Sequence, residues 1–175
     1  LGVPTANIPV DAASAKSWIN TVKSGVYFGW CSICFPPGHS ALTSTSPIPS
    51  SRILRSDFAP PDPCVELPEE SLSKGWRIYP TVMSIGYNPY FKNKIRSAEA
   101  HVLNGFKDDF YGTQIRVCLM GFIRDEKDYN SLDDLIQDIN IDCEVARMSL
   151  NRPSWTMAPD TRKKDLEWLS GIGEI

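Results

Sequence analysis

Two oxygen-bearing side chains stand two residues apart near the start of the chain, Thr5 and Asn7 in Gly2-Val3-Pro4-Thr5-Ala6-Asn7. In an extended segment alternate residues share a side, so a hydroxyl and an amide oxygen point the same way. Both are hard donors of the kind that suit Mg²⁺ and phosphate. A turn stiffened by Pro4 is the plainer reading. Further on, Glu99 lies among apolar strand neighbours. Burying such a carboxylate without a partner is costly. It either pairs with Lys92, Lys94 or Arg96, or faces a cleft and accepts a proton from a substrate hydroxyl. Residues 107–112, Lys-Asp-Asp-Phe-Tyr-Gly, read as a mobile loop with a stacking surface, or as an ordinary hairpin. Residues 121–129 link the last strand to a helix and supply Arg124, Lys127 and Tyr129. Two cations and a ring could grip a ligand; a solvated turn is the alternative.

Other chemistry is thinly represented. No G-x-x-x-x-G-K-[ST], G-x-G-x-x-G, G-x-S-x-G or H-E-x-x-H pattern occurs. The two histidines are His39 and His101, so a Ser-His-Asp triad would need His101 as its base. Cys31 and Cys34 form a C-x-x-C. They sit in an apolar run that reads as a buried strand, where positions i and i+3 face opposite ways and the sulfurs diverge. A zinc site from Cys31, Cys34, His39 and Cys64 is a distant alternative.

The chain has 175 residues, which suits one domain with room for an appendage. Apolar residues make up 42% and charged residues 22%, with a net charge of −3. There is no global basic field to favour nucleic acid. No apolar run approaches the roughly 20 residues that span a bilayer. Five cysteines, an odd number, and the lack of an Asn-x-Ser/Thr acceptor lean towards a reducing, cytoplasmic setting. An organellar signal ahead of Leu1 stays open.

The elements that must position these groups can be read in outline. Residues 26–34 form a buried strand. Nine of the fourteen prolines fall between Pro36 and Pro80, mixed with Ser and Thr. Residues 36–79 therefore read as a long disordered insertion between two strands, dispensable from about 38 to 76. Strands follow at 80–87, at 98–104 with Glu99, His101 and Leu103 on one face, and at 114–120. Ser131 is an N-cap with Asp133 and Asp134 in the first turn behind it. Leu132, Leu135, Ile136, Ile139, Cys143, Ala146 and Leu150 recur at helical spacing, and Pro153 ends the helix. Asp160 could cap a second short helix ending near Gly171. Short strands joined by turn signals suggest an antiparallel barrel or sandwich.

Taken in order, the segments resemble riboflavin kinase (flavokinase). The matching stretches are residues 1–7 (LGVPTAN), 25–30 (GVYFGW), 83–93 (MSIGYNPYFKN), 97–102 (SAEAHV), 106–112 (FKDDFYG) and 121–127 (GFIRDEK). The resemblance covers about 1–35 and 80–152. It implies a six-stranded antiparallel Greek-key barrel with an amphipathic C-terminal helix packed against it. The kinase domain would be 1–152, including the 36–79 insertion, and 153–175 an extension. It also implies transfer of the ATP γ-phosphoryl to the 5′-hydroxyl of riboflavin, giving FMN and ADP. The alternative is a non-catalytic flavin-binding barrel that acts through a partner.

By that resemblance Thr5 and Asn7 hold Mg²⁺, with Zn²⁺ or Mn²⁺ as substitutes, together with the nucleotide phosphates. Glu99 matches the catalytic carboxylate. Val102, Asn104 and Tyr111 fall where the family contacts the nucleotide. Arg124, Lys127 and Tyr129 fall where it contacts the flavin; Tyr129 stands where many relatives carry phenylalanine, and keeps the ring. The family places a glycine-rich basic segment and the first strand ahead of the Leu-Gly-x-Pro-Thr-Ala-Asn motif. Both would lie upstream of Leu1, leaving this chain weak in binding Mg-ATP and prone to self-association at an open edge. A monomer is expected once that start is in place.

Overall fold

The computed structural model describes residues 5–10, 15–43, 63–87 and 96–172. Five strands form one antiparallel sheet: β1 (Ala6–Asn7), β2 (Gly25–Cys34), β3 (Trp76–Gly86), β4 (Ser97–Val102) and β5 (Gln114–Arg124). Their spatial order is β1-β4-β3-β2-β5. The helices are α1 (Ala15–Thr21), α2 (Glu69–Ser73), α3 (Leu132–Leu150) and α4 (Pro159–Leu169), with a 3₁₀ turn at Ser40–Leu42. The antiparallel β class with a packed C-terminal helix is as expected. Among the described residues there are five strands, against the six that the resemblance implies. The resemblance places the first of its six strands ahead of the Leu-Gly-x-Pro-Thr-Ala-Asn motif; within the described residues, 15–21 winds into α1 and 103–113 folds as a loop closed by aromatic packing.

The sheet is rolled, and side-chain alternation divides its residues between two faces. On one, Val26, Phe28, Trp30, Val82 and Met120 meet Cys143, Ala146 and Leu150 of α3. The buried Trp30 donates its indole N–H to the Trp155 carbonyl at 3.0 Å, which satisfies its one polar atom. On the other face, Met83, Ile85 and Ala98 form a cluster that takes in Ile8 beyond one edge strand and Leu119 on the other. The bend comes with register shifts between β2 and β5 at Val26/Tyr27 and Phe28/Gly29. Gly29 sits so close to the Cys118 carbonyl that a Cβ would collide with it.

Several expected boundaries move. β3 begins at Trp76 rather than 80, and β5 runs on to Arg124 rather than 120, because the ten-residue β2 pairs along its whole length with both neighbours. Arg124 is therefore a strand residue. β4 ends at Val102. α3 matches expectation, and Ser131 Oγ accepts the Asp134 N–H at 3.1 Å. In α4 Pro159 occupies the first turn, so Ala158 is the cap and Asp160 lies within the helix. Leu166 and Leu169 of α4 enter the same core as α3.

The segment 36–79 also needs correction. Its described parts, 36–43 and 63–79, are folded against the sheet; 44–62 lies outside the described residues. Phe35 N–H donates to the Gly75 carbonyl at 3.0 Å. Val65, Leu67 and Ile78 pack on the main core, and Trp76 is buried. Average composition hid these apolar residues among the prolines. Among the described residues no helix is long and apolar enough to cross a membrane.

Candidate active site

β1 is short, but its register is decisive. Ala6 pairs with Ala100 and Asn7 with Glu99. Residues opposite each other in an antiparallel pair project to the same side, with Cβ atoms about 4.5–5.5 Å apart. The Asn7 amide and the Glu99 carboxylate are thus neighbours. On its other flank Glu99 pairs with Ser84, and Ser97 donates its hydroxyl to Glu99 Oε1 at 3.1 Å. The ion pair open to Glu99 in the sequence takes another form: Arg96 donates instead to the carbonyls of Ile19 and Val22 at the end of α1. Lys92 and Lys94 lie outside the described residues. Glu99 is half-buried, a carboxylate steadied by one hydroxyl.

Beside this pair opens a cavity of about 280 Å³. Thr5, Asn7, Val102, Asn104 and Tyr111, all singled out in the sequence, line it together. Sequence reasoning missed other parts of its wall, Phe106, Thr113 and Ile115. Their signal was faint, since each is unremarkable among neighbouring polar residues. The 107–112 loop is pinned at its root. Phe106 and Phe110 meet edge to face at 4.9 Å and pack with Phe35 and Tyr79. Tyr111, 92% exposed, is the ring that stands clear at its tip.

The second cluster forms where β5 leads into α3. Arg124 makes a two-pronged bond to Asp142, Nε to Oδ1 at 2.9 Å and Nη2 to Oδ2 at 2.7 Å. Burial works against the Arg124 charge, but the bonds to Asp142 prevail and hold its pKa above the ordinary value. Burial pushes the Asp142 carboxyl up, against the pull of Arg124. Lys127 Nζ and the Tyr129 hydroxyl both donate to Asp138 Oδ2, at 2.6 and 2.9 Å. The bond from Lys127, chiefly, holds the Asp138 carboxyl below its ordinary value. Burial, aided by Asp138, pushes the Tyr129 phenol up to about 12. Arg124, Lys127 and Tyr129 thus form one group, oriented by two aspartates a helical turn apart. Asp142 could have been suspected from sequence, as a charge beside the apolar positions Ile139, Cys143 and Ala146. Asp138 could not, because it reads as a solvated face.

The two clusters adjoin. Glu126 lies against Gly86, where a Cβ would strike its carboxylate, and accepts the Tyr87 N–H at 3.4 Å. Gly86 pairs with Ser97, the residue that donates to Glu99. Glu99 therefore stands between the cavity edge and the Arg124–Tyr129 loop. The C-x-x-C does diverge: Cys31 is fully buried and Cys34 Sγ donates to the Lys74 carbonyl. Among the described residues no three His, Cys, Asp or Glu side chains converge as a metal site would require.

A rolled antiparallel sheet backed by one long helix defines a barrel-like fold, with a hydroxyl and an amide at a cavity edge and a carboxylate paired beside the amide. A family model for riboflavin kinase (flavokinase) matches residues 1–150. A riboflavin kinase of Pyricularia oryzae is 42% identical over 97% of this chain and 77% of its own length. One of Chaetomium globosum is 47% identical over 89% of this chain and 66% of its own length. The crystal structure of riboflavin kinase from Trypanosoma brucei shares the fold, with a TM-score of 0.58, 24% identity and coverage of 93% of this chain and 78% of that one. The chain belongs to the riboflavin kinase family.

Proposed function

We propose that this chain transfers the γ-phosphoryl group of ATP to the 5′-hydroxyl of riboflavin, giving FMN and ADP. The observation that carries the reading at this site is the pairing of Asn7 with Glu99 beside a cavity that also takes in Thr5. A non-catalytic flavin-binding barrel finds no support in the comparisons.

The roles follow from position. The cavity receives the nucleotide, with Val102 against it, Asn104 at its side and Tyr111 over its mouth. Thr5 and Asn7 offer neutral hard oxygens and would hold a Mg²⁺ ion. Such an ion supplies neutralisation of the charge on the β- and γ-phosphates. Arg124, Lys127 and Tyr129 bind and orient the flavin, kept in place by Asp142 and Asp138. Glu99 takes the proton from the 5′-hydroxyl as its oxygen bonds to phosphorus and the bond to ADP breaks. A weak base suffices, because the transition state is loose and the proton leaves late. The loop carrying Phe110 and Tyr111 keeps water from the γ-phosphate, so that transfer outruns hydrolysis. All five cysteines are free thiols, which suits our placing of the protein in the cytoplasm.

Formation of FMN from riboflavin and Mg-ATP, separated from riboflavin by chromatography and detected by flavin fluorescence, tests the reading. Binding of riboflavin without any FMN appearing would overturn it.

A further inference from the structure

The outer wall of the cavity is the loop that carries Asp109, Phe110, Tyr111 and Gly112. It is held from behind by residues that the reaction does not use. His39, at the head of the proline-rich segment, is only 8% exposed. Its ring stacks on Phe35 with centroids 4.5 Å apart and planes 24° from parallel. Its Nδ1 accepts the Ala41 N–H at 3.1 Å. That fixes the proton of the neutral ring on Nε2, which lies 3.2 Å from the Asp109 carbonyl and donates to it. The next residue repeats the pattern: Ser40 N–H donates to Asp108 Oδ2 at 3.2 Å. Hydrogen bonds from Ser40 hold the Asp108 carboxyl below its ordinary value, so it is the ionised form that is gripped. Two successive residues of one segment thus bond two successive residues of the other.

We propose that His39 and Ser40 are positioning residues for the nucleotide, a strut that holds the 108–112 loop in the conformation that walls the cavity. The inference rests on the reading of that cavity as the nucleotide site. Neither residue reaches the cavity itself; they act through Asp108 and Asp109. A loop that spends only part of its time in the competent conformation weakens the apparent affinity by that fraction. Releasing the strut therefore weakens nucleotide binding and leaves flavin binding and the chemical step largely alone.

Ser40→Pro is a clean probe. Position 40 opens the 3₁₀ turn, where proline is tolerated, and His39 at φ −63° and ψ 137° already has the backbone that precedes proline. The substitution deletes both the N–H and the hydroxyl through which Ser40 holds Asp108. Asp108→Ala removes the other partner from an exposed position, so its folding is not at risk. Mg-ADP affinity is read by calorimetry, and the Michaelis constants for Mg-ATP and riboflavin by FMN formation. Each variant is expected to weaken Mg-ADP binding and raise the Mg-ATP constant by about three- to tenfold, with kcat and the riboflavin constant within about twofold. The double variant is expected to be no worse than either single one, because both break the same Ser40–Asp108 contact. Asp108→Asn, which keeps an acceptor oxygen, recovers most of the affinity. Unchanged Mg-ADP affinity in Asp108→Ala, additive losses in the double variant, or equal loss of riboflavin affinity would each overturn the strut. The cavity assignment fails separately, if Mg-ADP binding survives Thr5→Val and Asn7→Leu unchanged in the parent protein.

Discussion

Asn7 and Glu99 oppose each other across the β1–β4 ladder, an amide from the start of the chain set beside a carboxylate ninety-two positions later. Two strand residues are all that β1 contributes, yet they fix which side chain meets the glutamate. A slip of one residue would turn Asn7 to the opposite face and bring Ala6 in its place.

Glu99→Gln keeps the size of the side chain and can still accept the Ser97 hydroxyl. It removes the basicity. The expected result is a fall in kcat of roughly 10²–10⁴, with riboflavin affinity kept. A variant with most of its kcat intact would assign the proton transfer to another group.

Thr5→Val and Asn7→Leu remove the two hard oxygens without charge change. Both are expected to weaken Mg-ATP and Mg-ADP binding by about tenfold or more and to leave riboflavin binding to the nucleotide-free protein nearly unchanged. Equal loss of both ligands would mean that β1 itself had come away from β4.

Asp142 anchors the cluster proposed to bind the flavin, with its side chain 3% exposed and that of Arg124 18%. Asp142→Ala strands a largely buried guanidinium and is expected to cost roughly 2–4 kcal/mol of stability, somewhat below a fully buried pair. The riboflavin Michaelis constant should rise with it, and Mg-ADP affinity should not. Chemical denaturation and steady-state kinetics on the same preparation check both.

Tyr129 gives a pH signature. Its phenol ionises at about 12 in the folded chain, against an ordinary value of 10.0. A folded value that is raised means that the native state holds the proton more tightly. Stability from this group is therefore complete below about pH 10 and declines as pH climbs towards 12. Ultraviolet titration of Tyr129→Phe should match the parent up to about pH 11 and lose amplitude only above it. A loss of amplitude centred near pH 10 would contradict the burial of the hydroxyl on Asp138.

Deleting residues 38–76, which the composition marks as dispensable, is expected to damage the protein. It removes the His39 stack, the Val65 and Leu67 contacts and the buried Trp76. At about 2–4 kcal/mol for each large apolar side chain withdrawn from the core, the melting temperature should drop by about 10 °C or more. A sharp transition at the parent temperature would show that these contacts contribute little.

Much of this protein was legible in its sequence because the signals were local. Period-two runs gave the strands, the Ser131 cap and the apolar stripe gave α3, and the short motifs around Thr5, Glu99, Tyr111 and Arg124 carried the family resemblance. Local pattern also gave the divergence of Cys31 and Cys34, since alternation is a property of the strand itself. What the sequence could not supply was every relation between residues far apart in the chain. Strand order and register put Asn7 beside Glu99 and gathered Ile8 and Leu119 onto one apolar cluster, and neither is encoded in any window of neighbouring residues. The same holds for Asp138 and Asp142, whose purpose depends on which loop the helix meets. It holds most of all for residues 36–79, where proline and serine content argued for disorder. A few apolar and ring side chains there find partners only in the folded sheet, and that burial outweighs a composition that, taken alone, could not order the chain.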